Sequence, residues 1–538
     1  MAAHAGALIV ILLIAQHLLS ERIQQRTFPD GDEGSWMAVA SQLAKGEGFT
    51  TRWLEHPFLV PYALPRPDDF RYPALTLSLA AGFRIAGVSY QTGLRVIELI
   101  FLLFLAALFI LIRWRFGGTT AAIATALASF SLLQLYWNTQ VYTEGLFALV
   151  LAGYIAASTI LDPKKAGWWI ASGAGIGLLY LVRPNAIVLS AGPAAVFCFL
   201  YLTKQIPARF LLVYAVCQAA VMSPWLIRAW TYFGNPFHVA AAGGMLSAGG
   251  SEPINLSFLD FIRAHGILYP AVAAIKGCVP FFAALHDFEH GLEILPLALA
   301  VAGAFLRIPF FNASITIGFA AACIACCYAS GVWAGPWAGV RYFTAFLPFV
   351  YAYGVYVALR LARKVPRLPS WIRSIVVPTC IGGIMLAPVY YPHRYYERVL
   401  RKPPARATFA DHAALLHSLL APHDAYYANQ AAQLNFFTGY RCVGMQRFFD
   451  SAEVARAQAA FHPRAMVLKR NEIDDLRILS VIRELERRGI AVDSAGETSY
   501  AVYYRLSPDR AAEPPALPGK PAENAGGHGD HRQGKLQK

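Results

Sequence analysis

Asp32, Glu33 and Glu144 are carboxylates at the edges of long apolar runs, in a chain with only 32 acidic residues among 538. Asp32 and Glu33 follow the first apolar run, in Phe28-Pro-Asp-Gly-Asp-Glu-Gly-Ser-Trp36. Glu144 stands in Gln140-Val-Tyr-Thr-Glu-Gly-Leu146, where a later run begins. A carboxylate so placed can take a proton from a hydroxyl, bind a divalent cation, or cap a helix start through the helix dipole. Asp30 reads as solvated loop. Asp32 and Glu144 read as a functional pair, because an ionisable residue at a membrane edge with no Lys or Arg beside it needs a partner.

Basic residues form the complementary set. Arg183 interrupts Tyr180-Leu-Val-Arg-Pro-Asn185, Arg228 follows Ser223-Pro-Trp-Leu-Ile227, and Arg341 with Tyr342 lies in Gly339-Val-Arg-Tyr-Phe343. Snorkelling of these arginines to headgroups is the plain reading. The functional one is recognition of an anionic headgroup, since guanidinium matches phosphate through paired hydrogen bonds. His286 and His290 have a metal-like spacing but read as a solvated loop, and Cys323, Cys326 and Cys327 read as small apolar residues. Gly173, Gly175 and Gly177 fit helix packing better than nucleotide binding. No dedicated metal cluster, Walker loop, GxSxG elbow or HExxH is present.

The elements that must position these residues are membrane spans. Hydrophobic residues make up 57% of the chain and charged ones 14%, against about 25% charged in soluble domains, and the mean hydropathy is +0.43. The +14 net charge fits basic cytoplasmic loops, and no basic patch interleaved with stacking aromatics points to nucleic acid. Apolar runs at 5–19, 92–112, 119–137, 143–161, 166–182, 184–203, 209–226, 292–306, 313–334, 341–360 and 372–391 predict an α-helical polytopic membrane protein of about eleven transmembrane helices. Arg113 and Arg115, Lys164 and Lys165, Lys204 and Arg209, Arg307, and Arg363 to Arg373 fall in alternate connections. They place the cytoplasm there and residues 21–91, 227–291 and everything after 392 on the opposite face. Residues 1–391 thus form a transmembrane domain. Residues 392–510 read as a small extracytoplasmic α/β domain, with helices at Ala407–Leu420 and Ile473–Arg488 and strands at Ala425–Asn429, Ala465–Lys469, Val492 and Ala501–Leu506. Residues 511–538 have the composition of a disordered tail.

Six segments in order resemble C-class (GT-C) membrane glycosyltransferases that use polyprenyl-phosphate sugars, in particular the bacterial dolichyl-phosphate-mannose–protein mannosyltransferase and aminoarabinose transferase-like group. They are Asp32-Glu33 with Ala40-Ser-Gln-Leu-Ala-Lys-Gly-Glu-Gly-Phe49; Arg71-Tyr-Pro-Ala-Leu75 with Ile85-Ala-Gly-Val88; Tyr142-Thr-Glu-Gly145, with Gly145 in place of the usual proline; Gly177-Leu-Leu-Tyr-Leu-Val-Arg-Pro184; Pro224 to Phe237; and Arg341-Tyr-Phe-Thr-Ala-Phe-Leu-Pro348. The C-terminal domain matches in placement only. The resemblance implies a GT-C-like fold in a bacterial inner (plasma) membrane and an inverting glycosyl transfer on the extracytoplasmic face. Asp32 would be the general base, with Glu33 its neighbour and competitor. Glu144 would position the acceptor. Arg183, Arg228, Arg341 and Tyr342 would hold the lipid phosphate of the donor. The acceptor is a hydroxyl on a lipid, glycan or protein. No cofactor is certain; a divalent cation at Asp32 and Glu144 is left open. Two other classes compete. A transporter or flippase of a lipid-linked anion would use the same arginines but show mid-depth charges or inverted repeats. An envelope scaffold would be indifferent to Asp32→Asn.

Overall fold

The computed structural model describes residues 2–236 except 27–28, 30–31 and 55–62; 265–363 except 290–292, 307, 309 and 333–336; and 409–508 except 429–430, 446–450, 470–475 and 499–500. The apolar run at 372–391 and the tail after 508 lie outside the described residues.

Helix boundaries follow local chemistry. Helix α1 spans Ala2–Gln25, α2 Glu33–Ala44, α3 Pro73–Ala86 and α4 Tyr90–Phe116. Helix α3 opens with Pro73 in its first turn after an extended Tyr72, where proline's missing N–H costs nothing. The Ser89 hydroxyl caps α4 by accepting the Thr92 N–H at 3.0 Å, and Gly117, at φ +96°, ends it. Helices α5 (Gly118–Phe130) and α6 (Leu132–Asn138) form an apolar pair bent by 59°. Ser131 sits at the break and caps α6 by accepting from the Gln134 N–H. Next come α7 (Glu144–Ile160), α8 (Ala166–Val182), a 3-10 turn at Pro184–Ser190, α9 (Ala191–Leu202) and α10 (Arg209–Phe233). Then follow α11 (Tyr269–Glu289), α12 (Ile294–Phe305), α13 (Ala313–Val332), α14 (Trp337–Phe343) and α15 (Leu347–Arg363).

Among the described residues, six helices are long and apolar enough to cross a membrane, seven counting the bent pair, and five shorter apolar helices accompany them. This is a polytopic helical membrane protein. Two features differ from the hydropathy reading. The run at 341–360 is split into α14 and α15 by Thr344–Phe346. Within the connection expected at 227–291, Tyr269–Glu289 is an apolar helix; Pro280, Lys276 and the terminal His286-Asp-Phe-Glu289 diluted its signal. It crosses α13 closely at Gly277 and Gly331. A Cβ on Gly277 would meet the Cys327 carbonyl at 1.8 Å, and one on Gly331 the Ala273 carbonyl at 2.0 Å, so only glycine allows this approach.

The connections sort to two ends. At one end, Arg115 donates to the Phe311 carbonyl (3.1 Å), Asn312 to the Ser158 carbonyl (2.8 Å), and His4 lies against Gly118. The opposite end carries the first connection and the C-terminal domain, and a shared sheet shows that these two belong together. Strands β1 (Thr50–Thr51), β2 (Trp53–Leu54) and β3 (Arg66–Pro67) lie in the first connection. Strands β4 (Ala425–Ala428), β5 (Arg441–Gly444), β6 (Ala465–Lys469), β7 (Ile490–Glu497) and β8 (Ala501–Pro508) lie in the C-terminal region. Six of them form one sheet in the order β2-β5-β4-β6-β8-β7, while β1 pairs separately with β3. Helices α16 (Phe409–Leu419), α17 (Ala431–Thr438), α18 (Ser451–Phe461) and α19 (Leu476–Arg487) accompany the sheet. The expected helices and strands at 409–419, 425–428, 465–469, 476–487 and 501–508 are present. Strand β5 and helices α17 and α18 are additional.

Candidate active site

The site lies at the sheet-bearing end, where α2, α7, α8 and α14 converge. Asp32 precedes α2. Its carbonyl accepts the Ser35 and Trp36 N–H groups at 3.1 and 3.3 Å, but its side chain makes no capping bond. The carboxylate is therefore turned outward and remains 41% exposed. Its Oδ1 pairs with Arg71 Nη2 and its Oδ2 with Arg341 Nη1, each at 3.3 Å. Burial acts to raise the pKa of this carboxyl, but Arg71 and Arg341 together outweigh it and hold the group below its ordinary value. Asp32 is thus ionised at neutral pH.

Glu144 is the first residue of α7 and is fully buried. Its Oε1 accepts from Arg341 Nε at 2.7 Å and also pairs with Arg183. Its Oε2 is buried and has no hydrogen-bond partner among the described residues. Arg183 ends α8 with extended backbone (φ −153°, ψ 129°), as the following Pro184 requires. Its Nε donates to the Thr143 hydroxyl, and its guanidinium lies over Tyr342 at 5.5 Å. Arg341 links the two carboxylates. Its guanidinium lies 4.2 Å from the Tyr142 ring and 5.1 Å from Trp137; a weakly hydrated guanidinium suits such faces. Beside Arg183 and Tyr342 opens a cavity of about 250 Å³, also lined by Asn185 and Tyr328 and otherwise mostly by apolar side chains such as Phe147, Leu189, Ala325 and Phe346.

The structure therefore brings together Asp32, Glu144, Arg183, Arg341 and Tyr342, with Asp32 and Arg341 separated by 309 positions. Two named residues stand apart. The Glu33 carboxylate is buried and turned away: it accepts from Arg26 at 2.5 Å, from the Val141 N–H at 2.7 Å and from the Tyr90 hydroxyl at 3.2 Å. Arg228 donates to the Phe49 carbonyl at 2.8 Å and lies among Phe49, Trp225 and Tyr232, its ring-centroid distances 4.8–5.4 Å. His286 bonds Glu293 at 2.9 Å, while His290 lies outside the described residues. Among the described residues no three His, Cys, Asp or Glu side chains gather as metal ligands.

Arg71 is the group that the reading of single residues missed, although it stands in Arg71-Tyr-Pro-Ala-Leu75. An arginine just before a helix start in a polar loop carries no distinguishing signal. Its side chain donates to the Ser35 hydroxyl at 2.8 Å from Nε and lies 5.4 Å from the Trp36 ring. Its backbone N–H donates to Asp68 Oδ2 at 2.8 Å. Burial and then the neighbouring Asp69 push the Asp68 carboxyl up to about 6.

Residues 70–228 match the family model of dolichyl-phosphate-mannose-protein mannosyltransferase. No curated protein sequence matches the chain. Among solved structures it is similar to ArnT from Cupriavidus metallidurans bound to undecaprenyl phosphate, at TM-score 0.61 and 12% identity over 93% of this chain and 98% of that one. It is also similar to the oligosaccharyltransferase of Archaeoglobus fulgidus tethered to an acceptor peptide, at TM-score 0.53 and 14% identity over 94% and 74%. The same organism's AglB in complex with an inhibitory peptide and a dolichol-phosphate gives TM-score 0.50 at 12% identity over 95% and 75%. By motif order, by the matched segment and by its fold along nearly the whole chain, this protein resembles the C-class membrane glycosyltransferases.

Proposed function

We propose that this chain is an inverting glycosyltransferase that moves a sugar from a polyprenyl-phosphate donor to an acceptor hydroxyl on the extracytoplasmic face. One observation carries the reading: a half-exposed carboxylate, Asp32, is joined through Arg341 to the buried Glu144–Arg183 pair, beside an apolar cavity. The ArnT structure contains undecaprenyl phosphate, a lipid of the donor's chemical class.

In the reaction, Asp32 accepts the proton of the acceptor hydroxyl as its oxygen attacks the anomeric carbon. The bond from that carbon to the lipid phosphate breaks, and the phosphate leaves as a stable anion that needs positive charge more than a proton. Arg183 and Arg341 supply that charge, and the cavity takes the first part of the lipid chain. A phosphate that draws Arg341 away from Asp32 also makes the carboxylate more basic as the acceptor arrives. Glu144 keeps the two arginines in place. The charge set does not favour a divalent cation here, because both carboxylates are already met by guanidinium groups from Arg71, Arg183 and Arg341. Arg228 belongs to the rim and not to the phosphate contacts. In this reading the basic connections at the far end face the cytoplasm and the C-terminal domain lies outside, in a bacterial inner membrane; the Lys/Arg bias of those connections supports it.

The test is incubation of the purified protein with a panel of polyprenyl-phosphate sugars, scoring release of the lipid phosphate. Release with at least one donor, abolished by Asp32→Asn, is the expected result. Transport of a lipid-linked anion without any release would replace the reading with that of a flippase.

A further inference from the structure

Helix α2, which follows Asp32, is held on one face by α3 and the transmembrane core, through Trp36, Met37 and Ala40, and on another by the C-terminal domain. Ala38 and Val39 of α2 are 1% and 0% exposed and sit in one apolar cluster with Tyr426, Leu434, Cys442 and Tyr503. Helix α2 packs along α17. On the other side, the C-terminal sheet continues into the loop that carries Arg71. Trp53 and Leu54 of β2 pair in parallel with Cys442 and Val443, and the Cys442 N–H donates to the Arg52 carbonyl at 3.0 Å. The Thr51 hydroxyl ties β1 to β2 by accepting the Trp53 N–H at 3.2 Å. Strand β1 pairs with β3, with Thr51 opposite Arg66. The Asp68 N–H then donates to the Phe49 carbonyl at 3.2 Å, and Asp68 in turn receives the Arg71 N–H. Both partners of the Asp32–Arg71 contact are thus referred to one sheet, some 370 residues further along the chain.

We propose that the C-terminal α/β domain is a positioning part of the active site: its sheet and α17 hold α2 and the Arg71 loop in the register that sets the Asp32 carboxylate against Arg71. This rests on the reading of Asp32 as the general base. Among the described residues, the other charged and titratable groups around Asp32 are Arg341, Tyr142 and Tyr342, with Glu144 joined to it through Arg341. They belong to α7, α14 and the turn before α7, so they stay in place when the clamp is loosened. The pair distance is already 3.3 Å, and displacement of a reacting group by about 1 Å costs on the order of 100-fold in rate.

Leu434 on α17 is 2% exposed in the clamp. In the full-length protein, Leu434→Ala should lower kcat on the order of 10- to 100-fold, while KM for the lipid-linked donor stays within about twofold because Arg183 and the cavity are untouched. With Arg71 withdrawn, the acid limb of the pH–rate profile should move to higher pH, and Leu434→Met should restore both kcat and the limb. Hydrogen exchange should show residues 33–44 and 66–72 losing protection and α7 keeping it. Unchanged exchange in Leu434→Ala would show that the clamp does not exist. Loosened exchange with unchanged kcat and pH profile would show that it has no part in catalysis. Wild-type protein inactive on every donor would instead overturn the glycosyltransferase reading, and exchange would still decide whether the clamp exists.

Discussion

Asp32 and Glu33 are adjacent carboxylates, and their surroundings predict opposite failures when each is made an amide. Asp32 is 41% exposed, and its two ion pairs are both 3.3 Å long, so each contributes at most about 1 kcal/mol to stability. Asp32→Asn keeps the size and the backbone bonds to Ser35 and Trp36 and removes only the basic oxygen. Turnover should fall at least ~100-fold, the lower bound for losing a general base, or about 2.7 kcal/mol of barrier. Melting temperature and donor binding should hardly move. Glu33 is fully buried and accepts from Arg26, Val141 and Tyr90. Glu33→Gln strands the Arg26 charge and gives the Val141 N–H a weaker acceptor. Breaking such a pair costs about 3–5 kcal/mol when it is fully buried, and the 19% exposure of Arg26 favours the lower figure. That variant should melt well below wild type, while its folded fraction turns over within a few-fold of normal. The assay is lipid-phosphate release in nanodiscs at saturating donor, beside thermal unfolding of the same samples. Near-normal turnover in Asp32→Asn would refute the argument, and a stable but inactive Glu33→Gln would move the base by one residue.

Other outcomes follow from the same geometry. Arg183→Ala should weaken donor binding by on the order of 1.5–3 kcal/mol, the value of a charge-assisted contact, and Arg183→Lys should recover only part of it; unchanged affinity in a binding titration would remove Arg183 from the phosphate site. A phosphatase fused after Pro508 should be active only if exported, so an inactive fusion in a well-expressed protein would reverse the proposed topology. Asp68 binds its proton more tightly in the folded state, with a pKa of about 6, so its contribution is fully present below its ordinary value and is lost as pH rises through about 6. The loss is up to about 3 kcal/mol. Asp68→Asn should flatten that part of the stability–pH curve, and an unchanged curve in thermal unfolding between pH 4 and 7 would contradict it.

Most spans were legible because a bilayer imposes long apolar runs whatever the tertiary packing. The opposition of Asp32 and Glu144 to Arg183 and Arg341 was legible for a related reason: charge at a membrane edge is rare enough to stand out. The rest depends on contacts that no local pattern encodes. Arg71 sits in a polar loop where arginine is ordinary, and only the fold brings it to Asp32, 39 residues away. Strand β2 is two residues long and exists because β5 accepts it across almost 390 positions. Helix α11 carries Lys276, Asp287, Glu289 and the internal Pro280, which hydropathy penalises, yet it packs on α13 through glycine contacts.

The difference between Asp32 and Glu33 shows what a helix start can encode. Consecutive helical residues point about 100° apart, so the turn that buries Glu33 against Arg26 and Val141 must turn Asp32 toward the arginines. The buried carboxylate thereby fixes the rotation of α2, while the C-terminal sheet fixes its position along the membrane surface. Neither acts on the substrate; Asp32 itself is held by two ion pairs of 3.3 Å and by no capping bond of its own. A weakly tethered base can part from Arg341 when a phosphate competes for it, whereas a base locked by short bonds could not. The site therefore places its rigidity in the neighbours of Asp32 and leaves the carboxylate itself free to exchange partners.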